Sequence, residues 1–166
     1  MTYYQLYYHL VWTTRRRDSL LTPSAEPVIF DYIRWKPVEL GGTIFALNGT
    51  ADHVHLVAGI HPRVPVASFV SQVKAAAATK FNRRSPEEPL HWDDGYGAMT
   101  FDGKRLPYVI AYVERQKEHH VAGTLIPVLE RTEERTGGAG VAREAAAAPY
   151  DEPGYAVWWE EMMATE

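Results

Sequence analysis

The order of strand-like and helix-like segments is the feature that most constrains how this chain can fold. Runs rich in aromatic and β-branched residues mark strands, whereas apolar residues three and four apart mark helices. The segments follow the order β-α-β-β-α-β, and one more helix comes after them. Their predicted bounds are 3–13, 23–40, 43–48, 53–60, 65–81, 91–101 and 105–121.

This order predicts an α+β fold, a ferredoxin-like βαββαβ sandwich. Split βαβ units place four strands in one antiparallel sheet, with the two crossover helices on one face. Gly49 to Asp52 supply the turn chemistry of a hairpin between the second and third strands. The other face of the sheet is therefore expected to be open for a functional site.

Composition limits the functional classes. The 166 residues are 46% hydrophobic, enough for one buried core, and they include no cysteine. Disulfide frameworks, thiolate zinc sites and cysteine nucleophiles are thereby excluded. No apolar run approaches the roughly 20 residues of a membrane span, and the first ten residues are aromatic and polar. We expect a cytoplasmic protein with no membrane association.

The net charge of -4 is unevenly distributed. Residues 1–120 carry 14 Lys and Arg against 12 Asp and Glu, whereas residues 121–166 carry 3 against 9. We therefore divide the chain into a mildly basic domain at 1–121 and an acidic, Gly/Ala-rich extension at 122–166, whose aromatic cluster at 155–159 is expected to pack on the body. Two basic clusters permit a phosphate-bearing partner, although such residues also cap helices and keep loops soluble. They are Arg15, Arg16 and Arg17, and Lys80, Arg83 and Arg84.

His53 and His55 are the first candidates for chemistry. Alternation along a strand sends both imidazoles to one face, and Val54 with Leu56 supply the buried face. Two imidazoles on one face form part of a site for a divalent metal, which needs a further oxygen or nitrogen donor. A pair of solvated surface histidines is the alternative, and for this motif alone it is the commoner one.

Tyr112 and Gln116 are the second candidates. They lie one helical turn apart and share a face, so that a phenol and an amide are presented together. A tyrosine hydroxyl can attack a phosphodiester when a nearby cation stabilises the developing charge. Taken alone, an ordinary half-buried tyrosine beside a solvated glutamine is the commoner arrangement.

Together, these motifs resemble a known family. His53-Val54-His55 on a strand, followed by Tyr112 to Gln116 on a helix, is similar to the HUH single-tyrosine transposases of the insertion sequence 200/605 family. Further segments look like landmarks of that family, in the family's order: Tyr8 to Arg17, Trp92 to Ala98 and Gln116 to His120. The resemblance covers residues 3–121. The chain departs from the pattern in a Gly/Ala-rich insertion near 136–149 and in lacking an asparagine before Gln116.

The resemblance implies an enzyme that nicks and rejoins single-stranded DNA. Tyr112 would attack a phosphodiester, leaving a 5′-phosphotyrosine bond and a free 3′-hydroxyl. His53, His55 and Gln116 would bind magnesium or manganese, and no nucleotide cofactor would be needed. The implied partners are single-stranded DNA with hairpin structure and a second copy of the chain in a homodimer. The two basic clusters become the candidate DNA-binding residues, and the DNA-bound protein would be nucleoid-associated.

Two other functions compete with this one. A domesticated, catalytically silent protein that binds hairpin DNA would have lost a histidine or the tyrosine, and neither is lost here. A metal-dependent hydrolase of small phosphate esters would need a base that activates water. Asp52 is the only acidic residue adjacent to the histidine pair, and strand alternation turns it to the opposite face.

Three further histidines have weaker assignments. His9 lies on a neighbouring strand, where it either supports the metal site or only forms a hydrogen bond across the sheet. His119 and His120 come at the end of the third helix, where positive charge is favourable. We expect these two to serve the helix end rather than to act as ligands.

Overall fold

The computed structural model describes residues 3–132. Four strands form one antiparallel sheet: β1 (Tyr7–Thr13), β2 (Thr43–Gly49), β3 (His53–Gly59) and β4 (Gly97–Phe101). The helices are α1 (Glu26–Glu39), α2 (Val66–Arg84), α3 (Leu106–Glu114) and α4 (Gln116–Ala122). The strand order across the sheet is β2-β3-β1-β4. This is the predicted ferredoxin-like α+β sandwich, and the fold class is confirmed.

α1 and α2 pack together on one face of the sheet, which we call the helix face. Alternate residues of the two central strands point into this layer, among them Leu10, Trp12 and Leu56, all fully buried. They meet Ile33 of α1 and Phe69 of α2 in one apolar cluster. Burial of this surface is the main source of stability in a sheet and helix sandwich.

The opposite face carries His9, His53 and His55, and we call it the histidine face. The prediction that this face is open is wrong within the part of the chain that the structure describes. α3 packs against β2 and β3, and Leu129 lies fully buried with Val57 in a second apolar cluster. The site on this face is therefore a covered one.

The third predicted helix is divided in two. α3 ends at Glu114, Arg115 has the non-helical angles φ -101° and ψ 19°, and α4 begins at Gln116. The Asn48 side chain on β2 donates a hydrogen bond of 2.7 Å to the Glu114 carbonyl, which fixes the last turn of α3 against the sheet. The spacing between Tyr112 and Gln116 thus spans a helix junction rather than one continuous turn.

Two strands are shorter than predicted. β1 begins at Tyr7 rather than at residue 3, and β4 begins at Gly97 rather than at residue 91. Trp92 pairs with Thr14 only through an isolated bridge. α1, by contrast, continues through Pro37 to Glu39, although a proline inside a helix removes one backbone hydrogen bond.

The remaining sequence predictions concern the C-terminal part of the chain. The aromatic cluster at 155–159 and the insertion near 136–149 lie outside the described residues. The domain boundary after residue 121 stays a prediction, although Leu129 packs in the core. Within residues 3–132, no helix is both long and apolar enough to cross a membrane.

Candidate functional site: a histidine, glutamate and tyrosine cluster

His53 and His55 lie on the same side of β3, as strand alternation requires, and both are buried. Their ring centroids are 5.0 Å apart. The hairpin turn before β3 fixes His53 closely: a Cβ at Gly49 would overlap the carbonyl oxygen of His53. Glycine at this position therefore allows the two strands to approach just where the first histidine begins β3.

The Nδ1 atom of His53 is held by the preceding turn. It lies 2.6 Å from Asp52 Oδ1 and 2.8 Å from Thr50 Oγ1. The expectation that Asp52 faces away from the histidine pair is wrong, because Asp52 precedes the strand and does not follow its alternation. A carboxylate at Nδ1 places the proton there and leaves Nε2 as the donor atom toward the site.

The Nδ1 atom of His55 is held from the neighbouring strand. His9 Nε2 lies 2.8 Å from it, and both rings are fully buried. In the β1–β3 register His9 sits opposite Val57, diagonally beside His55. Burial, followed by the proximity of His55, lowers the pKa of His9 well below its usual value, so His9 is neutral and can accept the His55 proton. Of the two roles open for His9, this contact favours support of the histidine site.

Tyr112 and Gln116 reach the same face from α3 and from the start of α4. The Tyr112 side chain is 5% exposed, and Gln116 is fully buried. The Tyr112 hydroxyl accepts a hydrogen bond of 3.1 Å from the backbone N–H of Ile126. The solvated glutamine of the alternative interpretation is therefore not what the structure contains.

Glu130 joins these groups, and the sequence analysis missed it. Its Oε1 accepts a very short hydrogen bond from the Tyr112 hydroxyl and lies 3.4 Å from Gln116 Nε2. Its Oε2 lies 3.2 Å from His55 Nε2 and 3.6 Å from His53 Nε2. Glu130 follows a short 3₁₀ turn at Pro127–Leu129, in a segment without periodicity, so no pattern in the sequence could assign it to the site.

The Glu130 carboxylate controls the electrostatics of the cluster. Burial raises the pKa of Glu130, but contacts with His55, Tyr112 and His53 outweigh burial and lower this pKa to about 2. Burial, together with the adjacent Glu130 charge, raises the pKa of the Tyr112 hydroxyl above its usual value. Burial lowers the pKa of His55, although Glu130 opposes that shift. At neutral pH the cluster therefore contains a carboxylate and a protonated phenol.

His120 also reaches the cluster, contrary to the expectation that it serves only the end of a helix. Its Nε2 lies 3.0 Å from His53 Nε2 and 3.8 Å from Glu130 Oε2. His53, His120 and Glu130 each offer one donor atom within 4.8 Å of the others. His119, its neighbour, instead stacks on the Tyr112 ring with centroids 4.7 Å apart.

The donor set fits a divalent cation. In the described part of the chain, His55 Nε2 and Gln116 Oε1 are buried side-chain atoms that no hydrogen bond satisfies. His55 Nε2 is near Glu130 but lacks the alignment of a hydrogen bond. Imidazole nitrogens and carboxylate or amide oxygens are ligands of metals such as Mn²⁺ and Mg²⁺.

The two predicted basic clusters lie in different surroundings. Arg15, Arg16 and Arg17 form an exposed 3₁₀ turn after β1, and Arg17 Nη1 lies 3.3 Å from Asp52 Oδ2, which links this turn to His53. On the helix face, Lys80 Nζ lies 3.5 Å from the centroid of the Trp35 ring. Arg83 and Arg84 are exposed in the last turn of α2.

Comparison with known proteins identifies the family. The model of the family described as "Transposase IS200 like" matches residues 2–116, which include His53, His55, Tyr112 and Gln116. The chain belongs to this transposase family. The match ends before Glu130. The resemblance inferred from the motifs is thereby confirmed, and family membership supports a transposase function.

Individual relatives agree with this assignment. This chain is 26% identical to the ISDra2 transposase TnpA of Deinococcus radiodurans over 121 residues. The alignment covers 69% of this chain and 86% of that protein. A crystal structure of a Deinococcus radiodurans R1 protein described as a transposase matches with a TM-score of 0.57 at 26% identity, across 69% of this chain and 93% of that one. A REP-associated tyrosine transposase, solved bound to a REP hairpin, shares the fold with a TM-score of 0.54 at 15% identity, across 86% of this chain and all of that one.

Proposed function

We propose that this chain nicks and rejoins single-stranded DNA, with Tyr112 as the nucleophile. The observation that carries the proposal is the convergence of the Tyr112 hydroxyl and the Nε2 atoms of His53 and His55 on one carboxylate. A phenol and two oriented imidazoles around one carboxylate are the groups that metal-assisted phosphodiester transfer requires. Membership of a family of transposases supplies the substrate class.

In the proposed reaction the Tyr112 oxygen attacks a backbone phosphorus. The Tyr112 Oη–P bond forms as the bond from phosphorus to the 3′-oxygen breaks, which leaves a 5′-phosphotyrosine and a free 3′-hydroxyl. The phenol releases one proton and the 3′-oxygen takes one up, so the step is neutral in protons. The ester energy is conserved in the phosphotyrosine, so a second 3′-hydroxyl can reverse the step without a nucleotide cofactor.

We assign His53, His55 and Gln116 as the residues that hold the metal, Mg²⁺ or Mn²⁺. When bound, such a cation polarises the scissile phosphate and stabilises negative charge on the attacking and leaving oxygens. The chain's own contribution is orientation: Asp52 and His9 contact the two Nδ1 atoms, so both Nε2 atoms face the Glu130 carboxylate, to which the Tyr112 hydroxyl also donates. Gln116 Oε1, buried and unsatisfied among the described residues, supplies the oxygen donor.

The proposed partners follow from the basic surfaces and from the family. We infer that Arg15, Arg16 and Arg17 contact DNA phosphates, because this turn is exposed and adjoins the site through Asp52. We assign the same role, farther from the site, to Lys80, Arg83 and Arg84. Single-stranded DNA with a hairpin is the proposed substrate, a homodimer is the proposed assembly, and association with the nucleoid would follow from DNA binding.

The test uses end-labelled single-stranded DNA spanning the ends of the protein's own genomic locus. Purified wild type, Tyr112→Phe, His55→Ala and the control Tyr108→Phe are incubated with the DNA and Mn²⁺ and run on a denaturing protein gel. We expect label at the protein mass in wild type and in Tyr108→Phe, the control on the same helix, and none in the other two. If the DNA shifts in a native gel but never becomes protein-linked, the nicking proposal is wrong. The catalytically silent hairpin-binding protein then becomes the better account.

A further inference from the structure

We propose that Glu130, in the segment that follows α4, is an additional metal ligand. Metal binding would then hold residues 126–130 in place over Tyr112. This inference rests on the proposed metal site and adds to it a residue that lies beyond the matched family region. The proposed ligand atom is a carboxylate oxygen of Glu130, and its position depends on how residues 126–130 cross the histidine face.

The distances among the donor atoms carry the assignment. Glu130 Oε2 lies 3.2, 3.6 and 3.8 Å from the Nε2 atoms of His55, His53 and His120, and the last two nitrogens are 3.0 Å apart. Neighbouring ligands of an octahedral cation with bonds of about 2.1 Å are about 3 Å apart. Glu130 Oε2 and the Nε2 atoms of His53 and His120, all within 4.8 Å of one another, are therefore close enough to bind one cation, and His55 Nε2 lies beside the same carboxylate oxygen.

The unsatisfied atoms give an independent reason to place a cation here. His55 Nε2 and Gln116 Oε1 are fully buried, and within residues 3–132 neither has a hydrogen-bond partner. A buried polar atom without a partner is destabilising, because it has lost its hydrogen bonds to water and gained none in return. A cation held next to Glu130 would satisfy His55 Nε2 and would also balance the charge of the carboxylate.

The segment that carries Glu130 is seated on the site by its own contacts. The Ile126 N–H donates to the Tyr112 hydroxyl, and Leu129 is fully buried in the apolar cluster of the histidine face. Farther on, a Cβ at Gly97 would overlap the Arg131 carbonyl oxygen, so the segment lies directly against β4. Tyr112 is covered as a result.

The test measures metal binding and segment protection rather than DNA cleavage. Full-length wild type, Glu130→Gln, His55→Ala and the control Glu118→Gln, an exposed acid on α4, are titrated with Mn²⁺ by calorimetry. Hydrogen exchange of the amides of residues 126–130 is then followed with and without Mn²⁺. Circular dichroism without metal verifies that each variant is folded.

We expect Glu130→Gln to bind Mn²⁺ about tenfold or more weakly, while Glu118→Gln matches wild type. Mn²⁺ should slow exchange in residues 126–130 of wild type and not in Glu130→Gln. Wild-type affinity in Glu130→Gln, with affinity lost in His55→Ala, would overturn this inference and leave the proposed metal site intact. If wild type binds no Mn²⁺ at all, the metal requirement of the proposed function fails together with it.

Discussion

The two faces of one sheet differ in what they bury. On the helix face, Leu10, Trp12 and Leu56 meet apolar residues of α1 and α2. On the histidine face, His9 and His55 are buried just as completely, yet they carry polar atoms. Strand alternation alone separates these two sets on β1 and β3. The helix face therefore contributes mainly apolar packing, whereas the histidine face, beside a smaller apolar cluster, buries polar groups at a cost that the proposed cation would offset.

The strongest test of this division removes packing from the helix face. Phe69→Ala deletes a fully buried ring from α2, and we expect the free energy of unfolding to fall by about 3–5 kcal/mol. Urea denaturation measures this loss, and calorimetry at low temperature measures Mn²⁺ affinity of the folded fraction. Unchanged affinity is expected. A variant that stays stable but loses Mn²⁺ binding would show that the two faces are not independent.

The boundary between the faces is tested at Lys74. This buried lysine of α2 donates hydrogen bonds to three backbone carbonyls, those of Asp93, Asp94 and Gly95, at 2.6, 3.3 and 3.0 Å. Lys74→Met leaves these carbonyls without their donor, and we expect a loss of up to about 3 kcal/mol in urea denaturation. Faster hydrogen exchange at residues 92–96, with β1 and β3 unchanged, would locate the effect. A uniform increase across the sheet would contradict it.

Lys74 also shows where sequence reasoning reached its limit. Aromatic residues around Trp92 predict a strand from residue 91, but pairing there is limited to one bridge between Trp92 and Thr14. The next three carbonyls, at 93–95, accept hydrogen bonds from the Lys74 side chain of α2 instead. The alternation of β3, by contrast, needed only the sequence, so the shared face of His53 and His55 could be predicted. Nothing local could predict Glu130, because its role depends on the path of a segment without periodicity.

The histidine face itself is tested at His9, where we expect an effect on metal binding. His9→Leu removes the partner of His55 Nδ1, and loss of such a supporting contact weakens metal binding about 10–100-fold. His9→Gln, which can present an amide group near the position of Nε2, should recover part of the affinity. His91→Leu, at an exposed histidine, is the control. Mn²⁺ titration checks all three, and equal affinity in His9→Leu and wild type would remove His9 from the site.

The smallest expected effect lies on the outer surface of the helix layer. Lys80→Ala removes a cation above the Trp35 ring, a contact that contributes about 0.5–1 kcal/mol at an exposed position. Arg83→Ala, one turn on and exposed, should change stability by less than about 0.5 kcal/mol.

DNA binding separates the same two residues. If both contact DNA phosphates, each variant should reduce the slope of the logarithm of the DNA-binding constant against the logarithm of salt concentration by about 0.7 for a single strand. A reduced slope in Arg83→Ala alone would mean that Lys80 contacts the Trp35 ring rather than a DNA phosphate. A reduced slope in neither, with Arg16→Ala showing it, would confine DNA contact to the turn beside the histidine face.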